Sequence, residues 1–356
     1  MAVYTETLSK SRQGGRVHRM VTQWLFLVVA LVMVLVVFGG YVRLTRSGLS
    51  IVEWKVVTGT LPPLSQEAWE AEFAKYQATP EYQKVNRGMT LDEYRRIYYI
   101  EYFHRLIARI AGLLVVIPLA IFLVRGAIPW RRAGPYLAIP VLFGVQGFLG
   151  WYMVSSGLED NPAVSHFRLT IHLLTALAIL GWTLWLALSQ VYGGPGTTPQ
   201  RNLVWGTRAV LAVLVLQIAY GGLVAGLKAG WISNTWPRMF GAWIPQGLLS
   251  TLEPWWWNLL ENAATVHFVH RWFAFVVALA VVALAVAVYR SRTPLEPSVR
   301  RAALALVLLV GIQIGLGIGV VWFSVPLWLA LVHQATALLL FMDTLFLTHR
   351  LYALSG

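Results

Sequence analysis

The stretch Glu101-Tyr-Phe-His104-Arg105, followed by Gln146 and by Ile171-His172-Leu-Leu-Thr-Ala-Leu177, returns later in the chain. It comes back as His267-Phe-Val-His270-Arg271, followed by Gln313 and by Val332-His333-Gln-Ala-Thr-Ala-Leu338. In each set a His-Arg pair opens a long apolar run, and a second histidine sits in the opening turns of another. Other matches hold the two sets in register. Gly39-Gly40 pairs with Gly221-Gly222, Gly48 with Gly230, Trp54 with Trp236, Gly59 with Gly241 and Pro63 with Pro245, all at one offset. Gly144-Val-Gln146-Gly-Phe-Leu-Gly150 pairs with Gly311-Ile-Gln313-Ile-Gly-Leu-Gly317. The chain is therefore a tandem duplication.

Composition decides what kind of duplication. Of 356 residues, 58% are hydrophobic and only 12% charged, and the mean hydropathy is +0.63. Those values belong to an integral membrane protein. Eight runs reach the about 20 apolar residues needed to cross a bilayer. They lie near 22–42, 99–124, 135–154, 167–190, 208–227, 264–289, 302–323 and 326–348. The expected fold is an all-α integral membrane protein, its eight transmembrane helices arranged as two parallel-repeat four-helix bundles. Four spans per repeat give both repeats the same orientation. The expected divisions are a tail, 1–21, a first half, 22–192, a linker, 193–207, and a second half, 208–350. The first run is too long for a signal peptide.

A net charge of +13 would suggest nucleic acid in a soluble chain. Here the basic residues flank spans. Lys10, Arg12, Arg16 and Arg19 precede the first; Arg125, Arg131 and Arg132 follow the second; Arg201 and Arg208 precede the fifth; Arg290, Arg292, Arg300 and Arg301 follow the sixth. The positive-inside rule then places both termini in the cytoplasm, or the matrix of a mitochondrion. Spans two, four, six and eight run inward, so His104, His172, His270 and His333 all belong at the outer side.

The chain has no cysteine. That excludes disulfides, thiolate haem ligation, covalent c-type attachment and cysteine-held iron–sulfur clusters. Four histidines at matched repeat positions point to two bis-histidine haem sites, one pair of imidazoles per iron. The plainer alternative is interhelical hydrogen bonding. Zinc fits less well, because neither half completes a tetrahedral ligand set. Glu101 has His267 as its counterpart, which sets a carboxylate beside one site and an imidazole beside the other. Such a carboxylate can move protons or stabilise developing positive charge, or simply pair with Arg105. Arg105, Arg109, Arg168 and Arg271 are costly inside apolar spans without partners. Haem propionates, Glu101 or the membrane interface could each supply one. Gln146 and Gln313 are expected to hydrogen-bond between helices, and Trp255-Trp-Trp257 to sit in an interfacial belt. The long outer loop, 43–98, has helical periodicity from Ser65 to Tyr76 and could cap the first site.

These residues resemble the haem A synthase family, in the branch shared by mitochondria and proteobacteria. The resemblance is carried by Gly39-Gly-Tyr-Val-Arg-Leu-Thr-Arg-Ser-Gly-Leu-Ser-Ile-Val-Glu-Trp-Lys55, Thr58-Gly-Thr-Leu-Pro-Pro63, Asn86-Arg-Gly-Met89, Glu101-Tyr-Phe-His-Arg105, Gly147-Phe-Leu-Gly-Trp-Tyr-Met-Val154 and His267-Phe-Val-His-Arg271. It implies oxidation of the C8 methyl of haem O to a formyl group, giving haem A for cytochrome c oxidase. By position, His104 and His172 would hold the haem O substrate or haem A product, with Glu101 as the catalytic carboxylate. His270 and His333 would hold a permanent haem b, and Arg105 and Arg271 would serve cofactor binding. The implied partners are haem O, membrane lipid, haem O synthase and an electron-transfer protein; nucleic acid is not among them, and a homo-oligomer is compatible with the sequence. The implied location is the cell inner membrane, or the mitochondrial inner membrane in a eukaryote. The cysteine pairs of the Gram-positive branch are missing. Two other classes stay open on the residues alone: a di-haem b electron carrier that leaves haem unmodified, and a transporter using the histidines and Glu101 as a proton or metal path.

Overall fold

The computed structural model describes residues 2–54, 58–159, 162–193 and 201–352, with side chains from His18 onward. The side chains of Lys10, Arg12, Arg16 and Arg201, the loop residues around Lys55 and the linker residues 194–200 lie outside that description. Eleven helices make up the described chain: α1 (Ala2–Leu44), α2 (Gln66–Gln77), α3 (Pro80–Lys84), α4 (Leu91–Val124), α5 (Gly134–Leu158), α6 (His166–Tyr192), α7 (Arg201–Gly226), α8 (Asn258–Glu261), α9 (Ala263–Tyr289), α10 (Pro297–Trp322) and α11 (Leu327–Leu351). Eight are long and apolar enough to cross a membrane: α1, α4, α5, α6, α7, α9, α10 and α11. No strand occurs among the described residues.

Within each half the spans close a ring. In the first, α1 packs on α4, α4 on α5, α5 on α6, and α6 back on α1; α7, α9, α10 and α11 repeat that order. The rings meet where α6 packs on α7 and α11, and α1 on α11. Burial follows from this plan. Half of the most apolar window of α6 is buried, against 6% for α5, which lies at the periphery. Leu113, Val116, Ile117, Ile121 and Val124 on α4, like Leu304 and Leu308 on α10, turn outward, where lipid is their natural solvent.

α4 starts well before the expected membrane run. Thr90 caps it through a reciprocal capping box with Glu93, an arrangement that satisfies otherwise orphaned helix donors. Its first two turns are polar and tyrosine-rich, so they stand outside the bilayer. There Tyr94, Tyr98 and Tyr102 form a buried aromatic cluster with Trp69 and Tyr76 of α2. Tyr76 stacks on Tyr94 at 4.9 Å, and its burial pushes the Tyr76 phenol up to about 12. α2 matches the periodicity expected from Ser65, whose hydroxyl accepts from Ala68 N as the N-cap. His104 thus sits more than three turns inside its helix, not in the first turns, although it is still near the start of the apolar portion. His270, His172 and His333 lie about two turns into α9, α6 and α11.

Where the halves meet, glycine sets the spacing. A Cβ on Gly226 of α7 would collide with both the backbone and Cβ of His166 on α6. Backbone cannot yield as a flexible side-chain tip can, so Gly226→Ala is expected to cost about 1–3 kcal/mol by overpacking. A Cβ on Gly112 meets nothing within 4 Å. Thermal unfolding in detergent should therefore show a lowered midpoint for Gly226→Ala and none for Gly112→Ala; equal midpoints would remove the glycine argument.

Candidate functional site

Each of the four paired histidines stands against a glycine of a neighbouring helix. His104 on α4 faces Gly39 on α1, where a Cβ would lie 3.3 Å from Nε2, and His270 on α9 faces Gly221 on α7, where a Cβ would lie the same 3.3 Å from Cε1. His172 on α6 faces Gly150 on α5 at 3.2 Å, and His333 on α11 faces Gly317 on α10 at 3.0 Å, measured in the same way. These glycines are themselves repeat partners, so their recurrence in both halves has a steric cause: a side chain there would push the imidazole away.

Polar support repeats as well. The Gln146 amide donates to the His172 carbonyl at 3.0 Å and lies 3.2 Å from its Nε2. The Gln313 amide lies 3.4 Å from His333 Nε2. Gln217, which the sequence pattern did not single out, donates to the His270 carbonyl at 2.9 Å. The expected interhelical amides are thus present, and their partners are the histidines themselves.

The His270 and His333 rings meet nearly at right angles, edge to face, with centroids 6.5 Å apart. A metal ligated by two imidazoles from opposite sides holds each nitrogen at about 2 Å, which calls for centroids roughly 6 Å apart once the ring radii are added. Among the described residues Nδ1 of His172, His270 and His333 is buried without a hydrogen-bond partner, as is Nδ1 of His267 and His349. Buried unpaired nitrogens are costly, and an axial metal bond would satisfy those of the first three. Among the described residues no three His, Cys, Asp or Glu side chains converge on one point, so a bare ion would find only two protein ligands. The donor set fits a flat macrocycle that brings four equatorial nitrogens of its own.

Arg105 and Arg271 do the same job in both halves. Arg105 donates from Nη2 to the Ile51 carbonyl at 3.1 Å and from Nη1 to the Glu53 carbonyl at 3.4 Å. Arg271 donates from Nη2 to the Ser233 carbonyl at 3.1 Å and from Nη1 to the Thr235 carbonyl at 2.8 Å. Ser233 and Thr235 are the repeat counterparts of Ile51 and Glu53. Each guanidinium staples the loop that follows the first helix of its half to the helix bearing the first histidine.

The residue one turn before the arginine is where the halves differ. Glu101 is buried, and both of its oxygens are in use. Oε1 accepts from Arg105 Nε at 3.0 Å and Nη2 at 2.6 Å; Oε2 accepts from Ser50 Oγ at 2.7 Å and Ile51 N at 2.9 Å. In the second half Arg271 Nε donates to His267 Nε2 at 3.1 Å. The i,i+4 pair is therefore real, and Ser50 and Ile51 are partners that spacing could not reveal. A carboxylate with four donors on it is built to hold charge in place.

Other expectations land as follows. Arg168 lies 3.7 Å over the Tyr152 ring and donates to the Tyr152 carbonyl at 2.8 Å. Arg109 lines a cleft of about 340 Å³ under the outer loop, with Arg105, Tyr98, Tyr102, Lys75 and Leu61. Trp255, Trp256 and Trp257 are exposed, as an interfacial belt requires. His18, His166 and His349 sit outside the paired sets: His18 Nε2 contacts the Gln190 carbonyl, His166 Nε2 lies 3.5 Å from Glu261, and His349 contacts Ser189.

Fold and site together define a multi-pass membrane protein with two repeated histidine pairs, each braced by glycine and amide. Comparison with known proteins narrows this class. The chain belongs to the cytochrome oxidase assembly protein family COX15-CtaA, which it matches over residues 22–345. It is 44% identical over 354 residues to a heme A synthase of Nitrosospira multiformis, covering 98% of each chain. It is 41% identical to a heme A synthase of Flavobacterium psychrophilum, over 94% of this chain and 98% of that one. A heme A synthase of Brucella ovis is 44% identical, over 92% and 90%.

The staples make a prediction. Lysine keeps the charge of arginine but replaces a five-donor fork with a single point. Arg105→Lys and Arg271→Lys should each lose about 1–3 kcal/mol and expose their own outer loop, near 59–90 and 232–257 respectively, to limited proteolysis. Cleavage patterns unchanged from the native chain would show that the loops are held by other contacts.

Proposed function

We propose that this chain makes haem A from haem O. The C8 methyl of the substrate is hydroxylated twice, each round giving up two electrons and two protons to an external acceptor and gaining one oxygen at the oxidation level of water, and the resulting geminal diol loses water to leave the formyl group. What supports this reading is the chemical difference beside the same arginine staple, Glu101 in one half against His267 in the other, in a chain of this family. Two identical sites would suit a carrier; one site with a fixed carboxylate suits a reaction.

His104 and His172 hold the substrate or product haem in the first bundle, where Gly39 and Gly150 let the rings stand close to their helices. His270 and His333 hold a permanent haem b in the second. When bound, that haem supplies one-electron transfer to and from the reacting site. Glu101 acts beside the first pair. Removing electrons from a methyl carbon develops positive charge, and a carboxylate fixed by Ser50, Ile51 N and Arg105 stabilises it without reorganising. With four donors already on it, Glu101 serves better as a fixed charge than as a mobile base. Arg105 orients that carboxylate and closes the outer loop above it, while Arg271 does the same structural work for His267. The site lies at the outer side of the cell inner membrane, or of the mitochondrial inner membrane in a eukaryote, with both termini cytoplasmic or in the matrix. Haem O reaches it from haem O synthase.

Haem extraction and chromatography of the purified protein tests the assignment. Haem b together with haem O, haem A or a hydroxylated form is the expected content; haem b alone after loading with haem O would leave an electron carrier, and no haem would leave a transporter. His270→Leu and His333→Leu should lose haem b, whereas His104→Leu and His172→Leu should lose only the haem O-derived species. Glu101→Gln should keep both groups and slow haem A formation about 10²–10³-fold, the typical cost of removing one preorganised electrostatic contact. Loss of bound haem in step with activity would make Glu101 structural.

A further inference from the structure

The two seams between the halves differ. At Gly39-Gly40 the missing side chains uncover carbonyls one turn earlier, because a helical Cβ leans back toward the N-terminus. The Leu35 carbonyl then accepts from His104 Nε2 at 3.3 Å. Its neighbour, the Val36 carbonyl, accepts from the Gln334 amide at 2.8 Å. Gln334 is adjacent to His333, and its amide occupies the space that a Cβ on Gly40 would need. From the His104 ring to the backbone of His333 there are thus two hydrogen bonds, one peptide unit of α1 and one side chain of α11. Aromatic rings flank the same seam: Phe38 lies 5.8 Å from the His104 ring and 5.9 Å from Tyr41, and Tyr41 lies 6.2 Å from Trp328 on α11.

The mirror seam between α7 and α6 lacks these links. Leu173 stands where Gln334 does, Leu223 where Tyr41 does, and Phe167 where Trp328 does. Gly222 meets Thr170, whose hydroxyl is spent on the His166 carbonyl of its own helix. The α6–α7 seam is closely packed, with Gly222 against Thr170 and Gly226 against His166, but a hydrogen bond gives a bonded link where packing gives only van der Waals contact, so the α1–α11 seam is the hydrogen-bonded path between the two histidine pairs.

We propose that the α1–α11 seam carries electrons between the two haem sites, with Gln334 as its bridging residue and with His104 and His333 as the ligands at its ends. This rests on the two-haem reading above. The seam passes one electron at a time, one iron going from ferrous to ferric as the other goes from ferric to ferrous. Gln334 acts through the ligand helices and touches no reacting atom, so it is a positioning residue.

The test uses the full-length protein loaded with haem A, whose conjugated formyl group sets its absorption band apart from that of haem b. A laser flash on a soluble ruthenium photoreductant injects one electron, and its redistribution is timed at the separate absorption bands of the two haems. Gln334→Leu should slow redistribution several-fold while haem content and both reduction potentials stay native, and Thr170→Val in the mirror seam should leave the rate unchanged. A native rate in Gln334→Leu, or equal slowing in Thr170→Val, overturns the proposal. If Gln334→Leu does not retain its haem, Gln334→Met, similar in length but without the amide, takes its place; loss of haem from both makes Gln334 a packing residue and overturns the proposal too. A native chain that carries fewer than two haems fails the two-site reading instead, which separates the two outcomes.

Discussion

An imidazole wedged between two helices needs room against the neighbouring backbone, and here the absence of a Cβ opposite supplies it. Gly39, Gly150, Gly221 and Gly317 let four histidines approach the backbone of a neighbouring helix within van der Waals contact. Close approach is how membrane helices gain packing energy at all, since lipid competes equally for apolar side chains. The same substitution that makes the site possible therefore also fixes the spacing of α1 with α4, α5 with α6, and their repeats. In this chain, site geometry and bundle geometry are one constraint, and a change at any of the four glycines acts on both.

Once the bundles are fixed, charge placement distinguishes them. Two buried guanidiniums would be expensive unless their donors were filled. Each is filled by loop carbonyls first and by the residue four positions earlier second. Because the carbonyl contacts recur in both halves, the staple persists although that earlier position differs. It became a carboxylate in one half and an imidazole in the other without loss of the staple. Ser50 answers Glu101 with a hydroxyl, whereas its counterpart Ile232 could not. The divergence at Glu101 and His267 is thus a matched set of changes at two positions, which chance drift at one surface residue would not produce.

The spans were legible because hydropathy and length leave little choice, and the repeat was legible because identical residues recur at one offset. The start of α4 was not. Residues 91–98 are too polar to be read as membrane, and the helix persists there only because a capping box and a tyrosine cluster stabilise it outside the bilayer. The histidine pairs could be read from the sequence, but what each ring rests on could not: the repeat marks Gly39-Gly40 as important without saying that one glycine serves its own half and the other the opposite half. Ser50 and Ile51 escaped for a different reason. Their contact with Glu101 closes a loop of about fifty residues, and no local pattern encodes a partner that distant.

Gln334 shows the limit of reading a duplication by its matches. Comparison of the halves draws the eye to what is shared, and Gln334 is a difference, amide against Leu173. Yet a protein that runs different chemistry in two copies of one site must place its information in the differences. Glu101 against His267 is the difference on which the proposed roles of the sites rest, and Gln334 against Leu173 gives one of the two seams its hydrogen bond. Both lie next to a histidine that did not change. On the proposed reading the shared residues hold two like groups in two like bundles, and the few that diverged beside them give the pair a direction.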